Sequence, residues 1–183
     1  MNQHDMTRNM VLAALFAALT AIGAFLQIPT GTVPITLQFL FTALAGLLLG
    51  WKWGAISQLL YVGIGLLGLP VFTQGGGIGY VLQPSFGFLL GLIPAAAVIG
   101  ALTARRTGYL TVLAAVLVGD LILYAVGVPY MYLILHVYMQ SAKTFPALLA
   151  AMLVYVPGDT LKIIAVTALA PVLRRTLAKA VPN

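Results

Sequence analysis

The feature that most limits the folds open to this chain is the near absence of charge from apolar runs long enough to cross a bilayer. Only 7% of the 183 residues are charged, where soluble domains carry about a quarter. Nine Lys or Arg and three Asp residues cannot furnish the polar shell of a water-soluble fold of this size. The chain is therefore read as an integral membrane protein with a lipid-facing apolar surface, and the same composition excludes disorder and a coiled coil. The net charge of +6 does not mark a nucleic-acid binder. Its basic residues sit in small groups between apolar runs, as loop charges that set topology do, and not as a groove-tracking patch. Cysteine is absent, which removes disulfides, thiolate metal sites and cysteine nucleophiles.

A span needs roughly 20 apolar residues at about 1.5 Å each. On that measure the chain is all-α and polytopic, a single membrane domain over 1–183 with six transmembrane helices, at approximately 9–28, 34–50, 54–69, 85–104, 108–127 and 145–173. The first run is too long for a signal-peptide core and is read as a retained span. Residues 129–139 are apolar and aromatic but too short to cross, and are read as an interfacial or re-entrant piece. With the N-terminus inside, Arg8, Lys52, Arg105, Arg106, Arg174, Arg175 and Lys179 fall on the inner face, Lys143 falls outside and Lys162 falls within a span. This asymmetry predicts cytoplasmic N- and C-termini.

Ionisable residues within a span are costly and are functional candidates. There are three, Asp120, Asp159 and Lys162. Counting helical rise from the inner-face charges puts Asp159, Asp120 and Gln38 roughly 21–22 Å above that face and Lys162 roughly 18 Å above it. Three spans thus carry a polar group at one level, in the outer half of the bilayer. Asp159 and Lys162 are three apart and share a helix face, just after Pro157, which removes a backbone donor and loosens the helix. They serve a binding site, a self-neutralising ion pair, or both. Asp120, with Tyr124 one turn on, serves either the site or helix packing. Gln38 alone would be a helix–helix contact, and its shared depth argues for the site. Between the third and fourth spans, Gly75, Gly76 and Gly77 with Phe72, Tyr80, Phe86 and Phe88 suggest a lid with open backbone N–H groups over a small molecule, as against a flexible spacer.

Other patterns exclude. Gly63-Ile-Gly65-Leu-Leu-Gly68 mimics a dinucleotide fingerprint, but no strand precedes it. No G-x-x-x-x-G-K-[ST] phosphate loop occurs, so the chain is not itself an ATPase of that class. Glu is absent, and His4 and His136 lie outside the predicted spans, so neither catalysis nor a metal centre is expected. Gly46/Gly50 and Gly87/Gly91 suggest close helix packing, and Ala14/Ala18 make a smooth stripe suited to internal packing or to a partner.

Together these stretches resemble the BioY family, the biotin-specific substrate-binding (S) components of energy-coupling factor transporters. The resemblance rests on Val33-Pro34-Ile35-Thr36-Leu37-Gln38, Gly68-Leu69-Pro70-Val71-Phe72 with its glycines, Gln83-Pro84-Ser85-Phe86-Gly87-Phe88-Leu89-Leu90-Gly91, Gly119-Asp120 and Pro157-Gly158-Asp159-Thr160-Leu161-Lys162. It implies a six-helix bundle in a prokaryotic cytoplasmic membrane, with biotin as transported ligand and no cofactor. A transmembrane coupling subunit and two cytoplasmic ATPases are implied as partners. It further implies that Asp159 and Lys162 form the polar pair at the biotin site, Asp159 accepting a ureido N–H and Lys162 near the carboxylate. Gln38 and the Gly75–Gly77 backbone would be pocket-side, and Ala14 and Ala18 would dock on the coupling subunit. An S component for another vitamin, or a stand-alone biotin facilitator, is the alternative.

Overall fold

The structure, a computed structural model, describes residues 3–30 and 33–180, with side chains placed to Thr176. The side chain of Lys179, assigned above to the inner face, lies outside the described residues. The chain forms α1 (Gln3–Phe25), β1 (Gln27–Ile28), β2 (Ile35–Thr36), α2 (Gln38–Leu66), α3 (Phe86–Leu102), α4 (Tyr109–Leu133), α5 (Phe145–Ala151) and α6 (Val156–Ala180). Four helical stretches are long and apolar enough to span a bilayer: Gln3–Phe25, Gln38–Leu66, Tyr109–Tyr138 and Phe145–Thr176. The shorter apolar α3 packs between α2 and α4.

α2 is two helices in one. Gly50 has φ 80° and ψ 178°, a left-handed conformation that glycine adopts without penalty. The contacts on either side of it are symmetric. Gly54 approaches Gly46, Thr42 Oγ1 donates to Gln58 Oε1 at 2.9 Å, and Gln38 Nε2 donates to Tyr61 OH at 2.7 Å. Those pairs require the two halves to run antiparallel. The turn is locked from two sides. Gly100 of α3 lies against the backbone at Gly50 and Trp51, and Arg174 Nη2 donates to the Leu47 carbonyl at 2.8 Å.

Small residues bring backbones together where the sequence suggested. A Cβ on Gly46 would collide with the Ala96 carbonyl of α3. One on Gly91 would lie 3.1 Å from the Leu123 carbonyl of α4. Gly46→Ala is therefore expected to lower the detergent melting temperature, at a cost of about 1–3 kcal/mol typical of overpacking. Thermal unfolding followed by circular dichroism measures it.

Three boundaries differ from the sequence reading. Residues 27–28 and 35–36, assigned above to the first and second spans, form a two-stranded antiparallel ribbon pairing Gln27 with Thr36 and Ile28 with Ile35. Pro29 and Pro34 disfavour helical backbone at Ile28 and Val33 before them, so helix does not continue through this segment. The segment 129–139 is not a separate interfacial piece. α4 runs through Pro129 and finishes in a π-turn at Ile134–Tyr138, and packed neighbours make such a proline tolerable. There His136 stacks on Tyr132 with ring centroids 5.3 Å apart. Finally, α5, a 3₁₀ turn at Met152–Tyr155 and α6 follow end to end. The tightened turn lies just before Pro157, which cannot supply the N–H that α-helical bonding would require of it.

Helices α1 to α4 pack in chain order, and α6 closes the bundle against α2 and α4. One end of the bundle gathers the Gly50 turn with Lys52, the α3–α4 connection with Arg105 and Arg106, and Arg174 and Arg175 on α6. The other end gathers the ribbon, the glycine loop and the first turns of α2, α3 and α6.

Candidate binding cavity

At that second end lies a cavity walled by the ribbon, α2, α3, α4 and α6. Its lining is mainly aliphatic and aromatic, including Phe39, Phe88, Leu92 and Met152, with polar groups in two places.

The first polar group is on α6. Lys162 Nζ lies 2.5 Å from Asp159 Oδ1, and both side chains are only 9% exposed. Tyr124 of α4 donates its hydroxyl to Asp159 Oδ2. The i,i+3 spacing and the first turn of α6 after Pro157 place the pair on one face, as the sequence required. A buried ion pair costs heavily in desolvation unless its remaining donors and acceptors are met. Tyr124 meets one of them, and the others face the cavity.

The second polar group is formed by the glycine loop and the start of α3. Thr73 Oγ1 and Tyr80 OH are 2.9 Å apart, and Tyr80 OH and Ser85 Oγ are 3.4 Å apart. All three side chains line the cavity. Between the two groups, Gln38 lines the cavity but is already paired. Thr36 Oγ1 donates to Gln38 Oε1 at 2.9 Å, Gln38 Nε2 donates to Tyr61 OH, and Tyr61 OH donates to the Val71 carbonyl at 3.1 Å. That chain ties the ribbon to the glycine loop across α2. Tyr155 likewise donates its hydroxyl to the Val33 carbonyl, fixing the ribbon to the start of α6.

The structure thus brings together Asp159, Lys162, Gln38, Tyr80, Phe88 and Tyr124 of the residues named from sequence. Asp120 stands outside the lining, one helical turn from Tyr124 and within Coulombic range of Asp159 and Lys162. Its Oδ1 is buried and has no hydrogen-bond partner among the described residues. Phe86 lies in an aromatic ladder behind the cavity, Tyr61–Phe72–Tyr80–Phe86–Tyr130. Gly75, Gly76 and Gly77 are also outside the lining, and two of their N–H groups are spent. Gly75 N–H bonds the Phe72 carbonyl at 3.3 Å and Gly77 N–H bonds the Gly65 carbonyl at 2.7 Å. Glycine is required there by φ of 113° and 97°, so the run shapes the loop that carries Thr73 and Tyr80. Thr73 and Ser85 were missed because a lone hydroxyl residue in a loop carries no signal of the direction it faces. Ala14 and Ala18 are exposed on α1, while Ala13 and Ala17 beside them are buried in the bundle.

Comparison with known proteins adds to this geometry. The model of the BioY family matches residues 1–179. A probable biotin transporter BioY of Lysinibacillus sphaericus is 50% identical over 147 residues, covering 79% of this chain and 75% of its own. The biotin transporter BioY of Rhodobacter capsulatus is 39% identical and covers 97% of both chains. Among solved structures, the S-component for biotin from an ECF-type ABC transporter superposes with a TM-score of 0.84 at 30% identity. That match covers 96% of this chain and 95% of the other.

Proposed function

The chain belongs to the BioY family, and from that premise we propose that it is the substrate-binding subunit of an energy-coupling factor importer, holding biotin in the cavity between α6 and the glycine loop. The observation that carries this is the buried Asp159–Lys162–Tyr124 cluster facing a mainly apolar cavity. Biotin combines a neutral ureido ring, an apolar thioether ring and tail, and a carboxylate. The ureido N–H groups suit Asp159, the ureido oxygen suits Lys162, and the rings suit Phe88, Phe39 and Leu92. The sequence reading put the carboxylate near Lys162. Here the ammonium is already matched by Asp159. The α6 wall is therefore better suited to the neutral ring than to another anion.

In this proposal the chain crosses a prokaryotic cytoplasmic membrane six times, with both α2 halves crossing. Both termini and the basic end face the cytoplasm, and the cavity opens outward. The clustering of Lys52, Arg105, Arg106, Arg174 and Arg175 at the end away from the cavity supports this orientation. The chain binds and delivers its ligand without catalysing a reaction and without a cofactor. A transmembrane coupling subunit and two cytoplasmic ATPases supply the energy, consistent with the missing phosphate loop. The exposed Ala14/Ala18 stripe supplies the face for close helix contact.

Calorimetric titration of the purified chain tests the ligand. Saturable binding of biotin, with no binding of other vitamins, is expected. Preference for another vitamin would keep the S-component role and change its substrate. Biotin uptake in a host lacking the ATPases would favour a stand-alone facilitator.

A further inference from the structure

Resting on the biotin reading above, we propose that the hydroxyls of Thr73, Tyr80 and Ser85 are the receptor for the carboxylate of the bound vitamin. Among the described residues Lys162 is the lone cationic side chain in the cavity wall, and its ammonium is taken by Asp159 at 2.5 Å. With its one ammonium already matched by Asp159, α6 is a poor place for a further anion. Thr36 gives its hydroxyl proton to Gln38, and Gln38 spends one of its two amide N–H groups on Tyr61, in the chain that ends on the Val71 carbonyl, which leaves there a single neutral donor. The hydroxyl protons of Tyr124 and Tyr155 are given to Asp159 and to the Val33 carbonyl.

The cluster on the glycine loop and α3 remains. Its three hydroxyls carry three protons, and the two contacts among them consume two, so at least one O–H is free to donate. Hydroxyl rotors turn at little cost, so all three protons can swing onto an incoming carboxylate. Such O–H···O⁻ bonds are roughly twice as strong as neutral ones. Among the described residues the one carboxylate in the lining is Asp159, on α6, and Tyr80 and Ser85 are 5% and 8% exposed. The donors are thus held by packing before ligand arrives. The aromatic contacts of Tyr80 with Phe72 and Phe86 fix its ring, and positive φ at Gly75 and Gly77 shapes the loop that presents Thr73. Anion recognition would then rely on neutral donors, which avoids stranding a second buried cation when the site is empty.

The test is titration of the parent and of Thr73→Val, Tyr80→Phe, Ser85→Ala and the triple variant with two ligands, biotin and its neutral carboxamide. The parent should prefer biotin. Each single variant should weaken biotin by roughly tenfold, the worth of one charge-assisted hydrogen bond, and should leave carboxamide affinity within about twofold. The triple variant should bind both ligands alike. Because carboxamide binding reports the fold of every variant, a damaged pocket is recognised directly. Equal weakening of both ligands would reduce the cluster to packing and overturn the assignment. So would loss of the preference in Lys162→Met with its retention in the triple variant. A parent that binds neither ligand would instead remove the biotin reading, and the hydroxyl assignment with it.

Discussion

Asp159→Asn should cut biotin affinity by about two to three orders of magnitude, the largest loss expected from any single conservative change in this chain. Removing one member of a buried ion pair typically costs about 3–5 kcal/mol, because the other charge is left without compensation. Here the stranded group would be the Lys162 ammonium, only 9% exposed and in contact with Asp159 alone among the described salt bridges. Asn also offers one acceptor oxygen where the carboxylate offers two, and one of those two is occupied by Tyr124. Lys162→Met should weaken binding comparably, since it leaves Asp159 with Tyr124 and with Asp120 nearby. The double variant, Asp159→Asn with Lys162→Met, separates binding from folding. It should regain thermal stability relative to either single variant, because no charge is stranded, yet fail to regain biotin binding. Calorimetry and thermal unfolding on the four proteins read both effects. Parent-like affinity in either single variant would take the α6 wall out of the site.

A second large effect should appear on the exposed face of α1. Ala14→Trp with Ala18→Trp should leave biotin binding within about twofold of the parent and abolish biotin uptake in cells that carry the coupling subunit and ATPases. Both alanines are exposed on α1, and no residue of α1 is among those that line the cavity. Helix contacts in a bilayer depend on small residues that let backbones approach, and two indoles would hold the partner helix off. Ala17→Trp is the control for direction. Ala17 is 4% exposed and packs into the core, so its enlargement should damage the fold and biotin binding together. Co-purification of the Ala14→Trp, Ala18→Trp chain with an intact coupling subunit would refute the docking face.

How much of this was legible beforehand depends on which direction in space is asked about. Along a helix, depth follows from counting residues at about 1.5 Å each. That count put Gln38, Asp120 and Asp159 at one level, and the structure lines one cavity with Gln38, Asp159 and Lys162. The break around Gly50 was legible too, because an apolar run interrupted by glycines beside Lys52 has to turn near the surface. Rotation about the helix axis was not legible for Asp120. Its depth matches the cavity, but its side chain lies outside the lining, one turn from Tyr124. Pro129 misled in another way. Within a single helix it reads as a stop, and only neighbouring helices make it tolerable.

The loops hid most. Gly75, Gly76 and Gly77 invited a reading as open donors, yet two of their N–H groups close turns and their positive φ values shape the loop. The groups facing the cavity from that region are Thr73, Tyr80 and Ser85, which no periodicity distinguishes from their neighbours. The ribbon at 27–28 and 35–36 was equally invisible, since four residues are too few to show an alternating pattern.

The membrane class, the helical content, the basic end and the α6 ion pair were therefore settled by composition, by charge placement and by the i,i+3 spacing of Asp159 and Lys162. Each depends on residues close together in the chain, or on the cost of exposing charge to lipid, which is paid residue by residue. Which polar groups face one another across the cavity was decided by packing alone. Asp159 meets Tyr124 across 35 residues and Gln38 meets Tyr61 across the Gly50 turn. Such contacts arise only when close approaches at glycines such as Gly46, Gly91 and Gly100 set how far apart the helices stand and which faces meet.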